Sequence, residues 1–211
     1  MARANGSWTR AVTGGIVGAM SSPPLPHDHE PAAAPGAGIV PDGKDWTWVL
    51  RRPCPECGLD TRTVDPADVA ALLRANAEEG VDVLRGAAVR ARPRPDTWSP
   101  LEYACHVRDV FRLYDRRLEL MLTRDDPLYP DWDQDATAVE DRYAEQRPAT
   151  VAAELGEAAT ALAARFDGVR GEQWQRPGRR GDGARFTVAT FARYLLHDPV
   201  HHLHDVRRPR P

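Results

Sequence analysis

His197 and His201 stand four residues apart near the C-terminus of the chain. On a helix that spacing puts both imidazoles on one face, close enough to share an ion. His204, seven residues after His197, returns to the same face and is a candidate extra ligand or supporting donor, whereas His202 points to the side of Asp198. Far upstream, His106 sits beside Val107 and Val110 in a helical pattern, and a bundle can bring it against the C-terminal helix. Three neutral imidazoles suit zinc first, and also nickel, iron or copper, and they leave coordination positions open. Asp109 and Asp205 are candidate partners for the outward ring N–H groups that metal-bound histidines carry. A blander reading stands beside this one: histidines at a helix C-terminus complement its dipole, and a mid-helix histidine can be a hydrogen-bonded core residue.

A second group with ligand chemistry is Cys54-Pro55-Glu56-Cys57-Gly58. Cys-Pro-x-Cys-Gly has the form of one knuckle of a zinc ribbon, a turn that aims two thiolates at one ion. A closed structural zinc site takes four ligands, and no second cysteine pair follows. His27 and His29, or the same knuckle of a second subunit in a homodimer, can complete it; a redox-active pair is a third option, although no thioredoxin-like βαβ pattern surrounds the knuckle. The alternative is a tight turn carrying two reduced thiols. The third cysteine, Cys105, precedes His106 and points to a neighbouring helix face, as a small buried apolar residue would.

Four helical patterns must position these groups. Asp65-Pro66 starts the first, whose stripe is Val69, Leu72, Leu73, Val83 and Leu84. The second has the clearest start: Ser99 caps it, Pro100 opens it, and Glu102 completes a capping box, with an apolar stripe running to about Thr123. A long connection follows, with a short helix expected over 137–145 and the loop around Trp132–Arg142 as a source of substrate contacts. The third helix runs from about Pro148 to Gly168, and the fourth starts near Thr187. Pro199 either kinks the fourth helix or restarts it at Asp198-Pro199, which would weaken the His197–His201 spacing argument. Trp46 and Trp48 are spaced to share one face of an extended segment. The domain plan is a disordered Pro/Ala-rich extension over 1–42, in which Met20 is an alternative start, a short segment over 43–64 carrying the knuckle, and a bundle over 65–208.

Trp98-Ser99-Pro100-Leu101-Glu102-Tyr103-Ala104-Cys105-His106-Val107-Arg108-Asp109 resembles the second-helix motif of the DinB-like (damage-inducible) metalloproteins, and His197-Asp198-Pro199-Val200-His201-His202 resembles their fourth-helix His-x-x-x-His. The resemblance covers about residues 65–206. It implies an all-α four-helix bundle in up-down-down-up order and a divalent metal held by His106, His197 and His201. Relatives of that family include thiol S-transferases and a mycothiol-dependent maleylpyruvate isomerase. The implied chemistry is activation of a small-molecule thiol toward an electrophile, with mycothiol as the candidate co-substrate, which the high-GC genome suggested by the Ala-, Arg- and Gly-rich composition would suit. The alternative on the same scaffold is a non-catalytic metal-binding or stress-response protein.

Composition limits the other classes. A net charge of -3 gives no long-range attraction to nucleic acid, and no apolar run approaches the ~20 residues that span a bilayer. Arg3 and Arg10 ahead of residues 11–20 imitate a signal peptide only loosely, because that stretch is diluted by Gly and Thr. Three cysteines do not make a disulfide framework, so a reducing cytoplasm is the expected location.

Overall fold

The computed structural model describes Ile39, Gly43 and residues 45–208. Except for Ile39, the extension expected over 1–42, with the alternative start at Met20 and with His27 and His29, lies outside the described residues.

Four long helices make the bundle. They are α1 (Val69–Val83), α2 (Pro100–Thr123), α4 (Pro148–Asp167) and α5 (Val188–Arg207), with the short α3 (Gln134–Glu140) in the long connection. Local chemistry sets the starts. The Asp65 carboxylate accepts from the Ala67 N–H and opens a 3-10 turn over Pro66–Asp68, which leads into α1. The Ser99 hydroxyl accepts from the Glu102 N–H while the Glu102 carboxylate accepts from the Ser99 N–H at 2.8 Å, the reciprocal box the sequence predicts. Thr187 caps α5 through the Thr190 N–H.

Ion pairs and packing give the helix directions. Arg108 pairs with Glu154 and, further along both helices, Arg165 pairs with Asp115, so α2 and α4 run parallel. Arg74 pairs with Asp167 while Gly80 lies against Leu155, so α1 and α4 are antiparallel. Asn76 donates to the Pro199 carbonyl and Glu79 pairs with Arg207, so α1 and α5 are parallel. Tyr114 stacks on Phe191 while Tyr103 meets His202, so α2 and α5 are antiparallel. The order is up-down-down-up, made possible by the long connection between α2 and α4. The core between the helices holds Leu73, Leu101, Phe111, Leu118, Met121, Leu155, Leu162, Phe166, Phe191 and Leu195, all essentially buried.

A small sheet, which the helical patterning does not reveal, lies at the α2 C-terminal end. Strand β1 (Leu128–Tyr129) pairs in parallel with β2 (Pro177–Arg180), which pairs antiparallel with β3 (Arg185–Thr187). Gly178 is required where β2 crosses α2, because a Cβ there would stand 2.7 Å from Met121 Cγ. The sheet delivers Arg180 toward α5, where its guanidinium donates to the Tyr194 hydroxyl at 3.0 Å and pairs with Asp182.

Two expectations are corrected. The Trp46 and Trp48 segment is not extended: residues Trp46–Leu50 form a 3-10 helix, because the Asp45 carboxylate accepts from both the backbone N–H and the hydroxyl of Thr47 and turns the chain. The helix also does not restart at Asp198-Pro199. It continues through Pro199 to Arg207, with its N-cap at Thr187, so His197 and His201 do share a face, with ring centroids 5.0 Å apart. Among the described residues, no helix is long and apolar enough to cross a membrane.

Candidate metal centres

One stretch of α5 supplies two pairs of donors offset by a single residue, His197 with His201 and Asp198 with His202. Successive helical positions are rotated by about 100°, so the pairs serve adjacent faces. The three histidines expected to form one triad are therefore divided. His106 is grouped with Asp198 and His202, whereas His197 and His201 are grouped with Cys54 and Cys57; within each group the donor atoms all lie within 4.8 Å of one another.

The first group sits between α2 and α5. His106 is fully buried, stacked on Trp132 with centroids 5.5 Å apart and an interplanar angle of 11°, and flanked by Trp98 at 5.2 Å and His202 at 4.8 Å. Neither of its ring nitrogens makes a hydrogen bond. Its Nε2 faces Asp198 Oδ1 at 3.5 Å, and His202 Nε2 reaches the same oxygen at 3.7 Å. Burial pushes the Asp198 carboxyl up, but the pull of His202 and His106 outweighs it and holds the group down at about 2, so it is a carboxylate. A buried imidazole without a hydrogen bond is costly, and a cation between it and a carboxylate removes that cost. The donor set fits a divalent ion with three protein ligands and open positions.

The second group joins the N-terminal segment to α5. The knuckle is a turn in which the Gly58 N–H donates to the Cys54 carbonyl and the Cys54 N–H donates to the Leu59 carbonyl, each at 2.9 Å. Gly58 has φ +77°, which a side chain rarely tolerates. Cys54 is buried, and its Sγ lies 3.6 Å from His201 Nδ1. The opposite nitrogen of that ring, Nε2, faces Asp205 at 3.6 Å and Glu56 at 3.8 Å. His197 Nε2 is buried without a hydrogen bond. Burial, and then the neighbouring His201, push the His197 imidazole down to about 4, so the ring is a neutral donor. Burial raises the Cys57 thiol to about 11.

The remaining candidates have other places. Asp205 does back the histidines, and its Oδ2 lies 3.6 Å from His201 Nε2 and 3.7 Å from His202 Nδ1, one carboxylate oxygen facing one ring from each group. Asp109 instead receives Arg108 at 2.9 Å and the Tyr143 hydroxyl at 2.7 Å, and so belongs to a structural ion cluster on α2. His204 joins neither group. Cys105 is buried, and burial raises its thiol to about 12, as expected for a packed apolar side chain. The members that sequence reasoning passes over are Asp198 and His202. Their own i, i+4 spacing was the available signal, hidden by the overlapping His197–His201 pair.

A cavity of about 130 Å3 reaches both groups, lined among others by Trp132, Arg117, Arg180, Tyr194, Asp198 and His202. Trp46, Trp132, Asp131, Arg180 and Tyr194 also border a broader groove of about 710 Å3, whose rim carries Asp45, Asp133, Asp135 and Asp182. From the Trp132–Arg142 loop, Trp132, Asp133, Gln134 and Asp135 line this groove.

Residues 70–206 match the DinB superfamily. Among solved structures, the chain is similar to YfiT from Bacillus subtilis, described as a probable metal-dependent hydrolase with an unusual four-helix bundle topology; the two share 19% identity at a TM-score of 0.57, over 68% of this chain and 84% of YfiT. No curated protein matches the chain.

Proposed function

This chain belongs to the DinB superfamily, and we propose that it is a divalent-metal-dependent thiol S-transferase or isomerase of the mycothiol type, acting on small electrophiles at His106, Asp198 and His202. The observation that carries this reading is the two-part space beside that group: a small cavity and a wide, carboxylate-lined groove that share Trp46, Trp132, Arg180 and Tyr194 as walls. Two adjoining spaces of unequal size suit a reaction between a small electrophile and a larger polar thiol. An ion bound there would lower the pKa of a thiol at its open position, which is the chemistry it supplies.

The chain's own residues do the rest. Asp198 and His202 present their donors from one face of α5, and His106 is fixed opposite them by its stack on Trp132. Asp205 backs His202 and holds the orientation of its ring. Arg117 and Arg180 place positive charge on the cavity wall, which suits an electrophile carrying a carboxylate. The aspartates of the groove accept hydrogen bonds from the hydroxyls of a sugar-bearing thiol. Trp46 and Trp132 stand at the junction of cavity and groove, where they exclude water from the reacting sulfur.

The test is metal analysis of the purified chain with a conjugation assay using mycothiol and a panel of carboxylate-bearing electrophiles. His106→Ala and His202→Ala should each lose the metal at this group and reduce conjugation by on the order of a hundredfold or more, since even supporting residues of metal sites cost 10–100-fold. A metal-loaded protein that consumes no thiol but hydrolyses an ester or amide panel would move the reading to hydrolysis, the activity ascribed to YfiT. Metal binding with neither activity would favour the non-catalytic alternative.

A further inference from the structure

We propose that Cys54, Cys57, His197 and His201 form a second, closed zinc site that clamps the N-terminal knuckle onto α5 and thereby sets Trp46 at the wall of the cavity.

The geometry supports four ligands and one ion. Zn–S and Zn–N bonds of roughly 2.3 and 2.05 Å at a tetrahedral angle put sulfur and nitrogen about 3.6 Å apart. Cys54 Sγ lies 3.6 Å from His201 Nδ1, and all four donor atoms fall within 4.8 Å of one another. His201 turns Nδ1 toward the thiols because Asp205 and Glu56 face its Nε2, the carboxylate–histidine arrangement that orients metal-bound imidazoles. The buried Nε2 of His197 has no hydrogen bond. Gly58, at positive φ, lets the knuckle close so that Cys54 and Cys57 converge. Two thiolates and two imidazoles select zinc over harder divalent ions, and four protein ligands leave no position for substrate. Binding converts both thiols to thiolates and releases their protons to solvent.

The site also explains the aromatic cover. Trp46 packs on both rings, with centroids 5.3 Å from His197 and 5.3 Å from His201, and Trp48 reaches His197 at 6.4 Å. Trp46 is also a wall of the inner cavity. Zinc would thus fix one wall of the proposed reaction space without taking part in the reaction. The knuckle finds its missing ligands on α5 of its own chain, so neither a second subunit nor the histidines at 27 and 29 is needed.

The test uses the full chain. Loaded with cobalt(II), it should show thiolate-to-cobalt charge-transfer absorption and the intense visible bands of a tetrahedral ion. His106→Ala should keep that absorption, whereas Cys54→Ser and Cys57→Ser should abolish it along with one equivalent of zinc. Because the cysteine variants risk misfolding, a second measurement uses the unaltered protein: zinc should protect Cys54 and Cys57 from alkylation, and a chelator should expose both. Absence of the charge-transfer absorption, or alkylation equally fast with and without zinc, would overturn the proposal. Neither readout depends on the metal content of the His106 group or on its activity, so failure of one reading leaves the other standing.

Discussion

The two donor groups on α5 are built from the same stretch of helix and share Asp205, but they differ in the residues that complete them. His106, Asp198 and His202 offer three donors beside a cavity, whereas Cys54, Cys57, His197 and His201 offer four, two of them sulfur, across a seam between chain segments. Ligand number and softness separate a metal that meets substrate from a metal that holds structure. One helix can serve both because a one-residue offset turns a donor pair by about 100° without changing its spacing. Overlapping i, i+4 pairs in one histidine-rich stretch therefore describe two faces, and each face must be assigned from what it meets.

Asp205 is the place where the comparison can be broken most directly. Its Oδ2 faces His201 of one group and His202 of the other. Burial pushes the Asp205 carboxyl up, but His202 and His201 outweigh that and keep it ionised. Asp205→Asn should weaken metal binding at both groups together, each by roughly 10–100-fold. Competition titrations with a chromophoric chelator would measure it. A loss at one group alone would mean that the two sites do not share this support.

A smaller change sharpens the contrast by touching one site only. Gly58→Ala places a side chain at φ +77°, which costs about 1–2 kcal/mol at a left-handed position. Nothing lies within 4 Å of the added Cβ, so the penalty is conformational and not steric. Zinc affinity at the cysteine group should fall about tenfold or somewhat more, with the His106 group unchanged. Equal loss at both groups, measured in the same titration, would contradict the division.

The sequence is most legible where a local rule acts alone. The capping box at Ser99–Glu102, the Asp65-Pro66 start and the apolar stripes predict the four helices, and the long connection points to the parallel pairing of α2 and α4 that the ion pairs display. Local rules fail where tertiary contacts decide. Trp46 and Trp48 alternate like strand residues, yet Asp45 and the histidine rings fold them into a 3-10 turn. Strands of two to four residues carry no periodicity to read, and β2 is defined only by its pairing with β1 and β3. The histidines were legible as candidate donors, but the side chains they meet depend on a separation of 143 residues between Cys54 and His197 that no spacing rule spans. Pro199 reads as a helix breaker, yet α5 runs through it with its packing on α1 intact, the Pro199 carbonyl accepting from Asn76.

The smallest expected effect lies beneath the His106 group. Glu102 closes the capping box of α2 one turn before His106 and also pairs with Arg92. Burial pushes its carboxyl up, but the hydrogen bonds from Arg92 and Ser99 prevail and hold it below the ordinary glutamate value. A carboxylate depressed in the folded state contributes stability that is present above its unfolded pKa, about 4.3, and is lost as pH falls through the lower folded value. Glu102→Gln preserves an acceptor for the Ser99 N–H, because glutamine also serves in a capping box, and removes only the charge facing Arg92. The variant should be less stable than the parent by about 0.5–1.5 kcal/mol at neutral pH, the typical net range for an intramolecular hydrogen bond, since the Arg92 side chain is partly exposed and its charge is screened. That difference should close as the pH drops below the carboxylate range, because the parent then loses the same charge. Denaturant unfolding of both proteins at matched pH values would read it. A difference that persists undiminished in acid would show that Glu102 acts by packing instead of by charge. The cysteine group should keep its metal in this variant at neutral pH, since its donors come from the knuckle and α5, and none from α2.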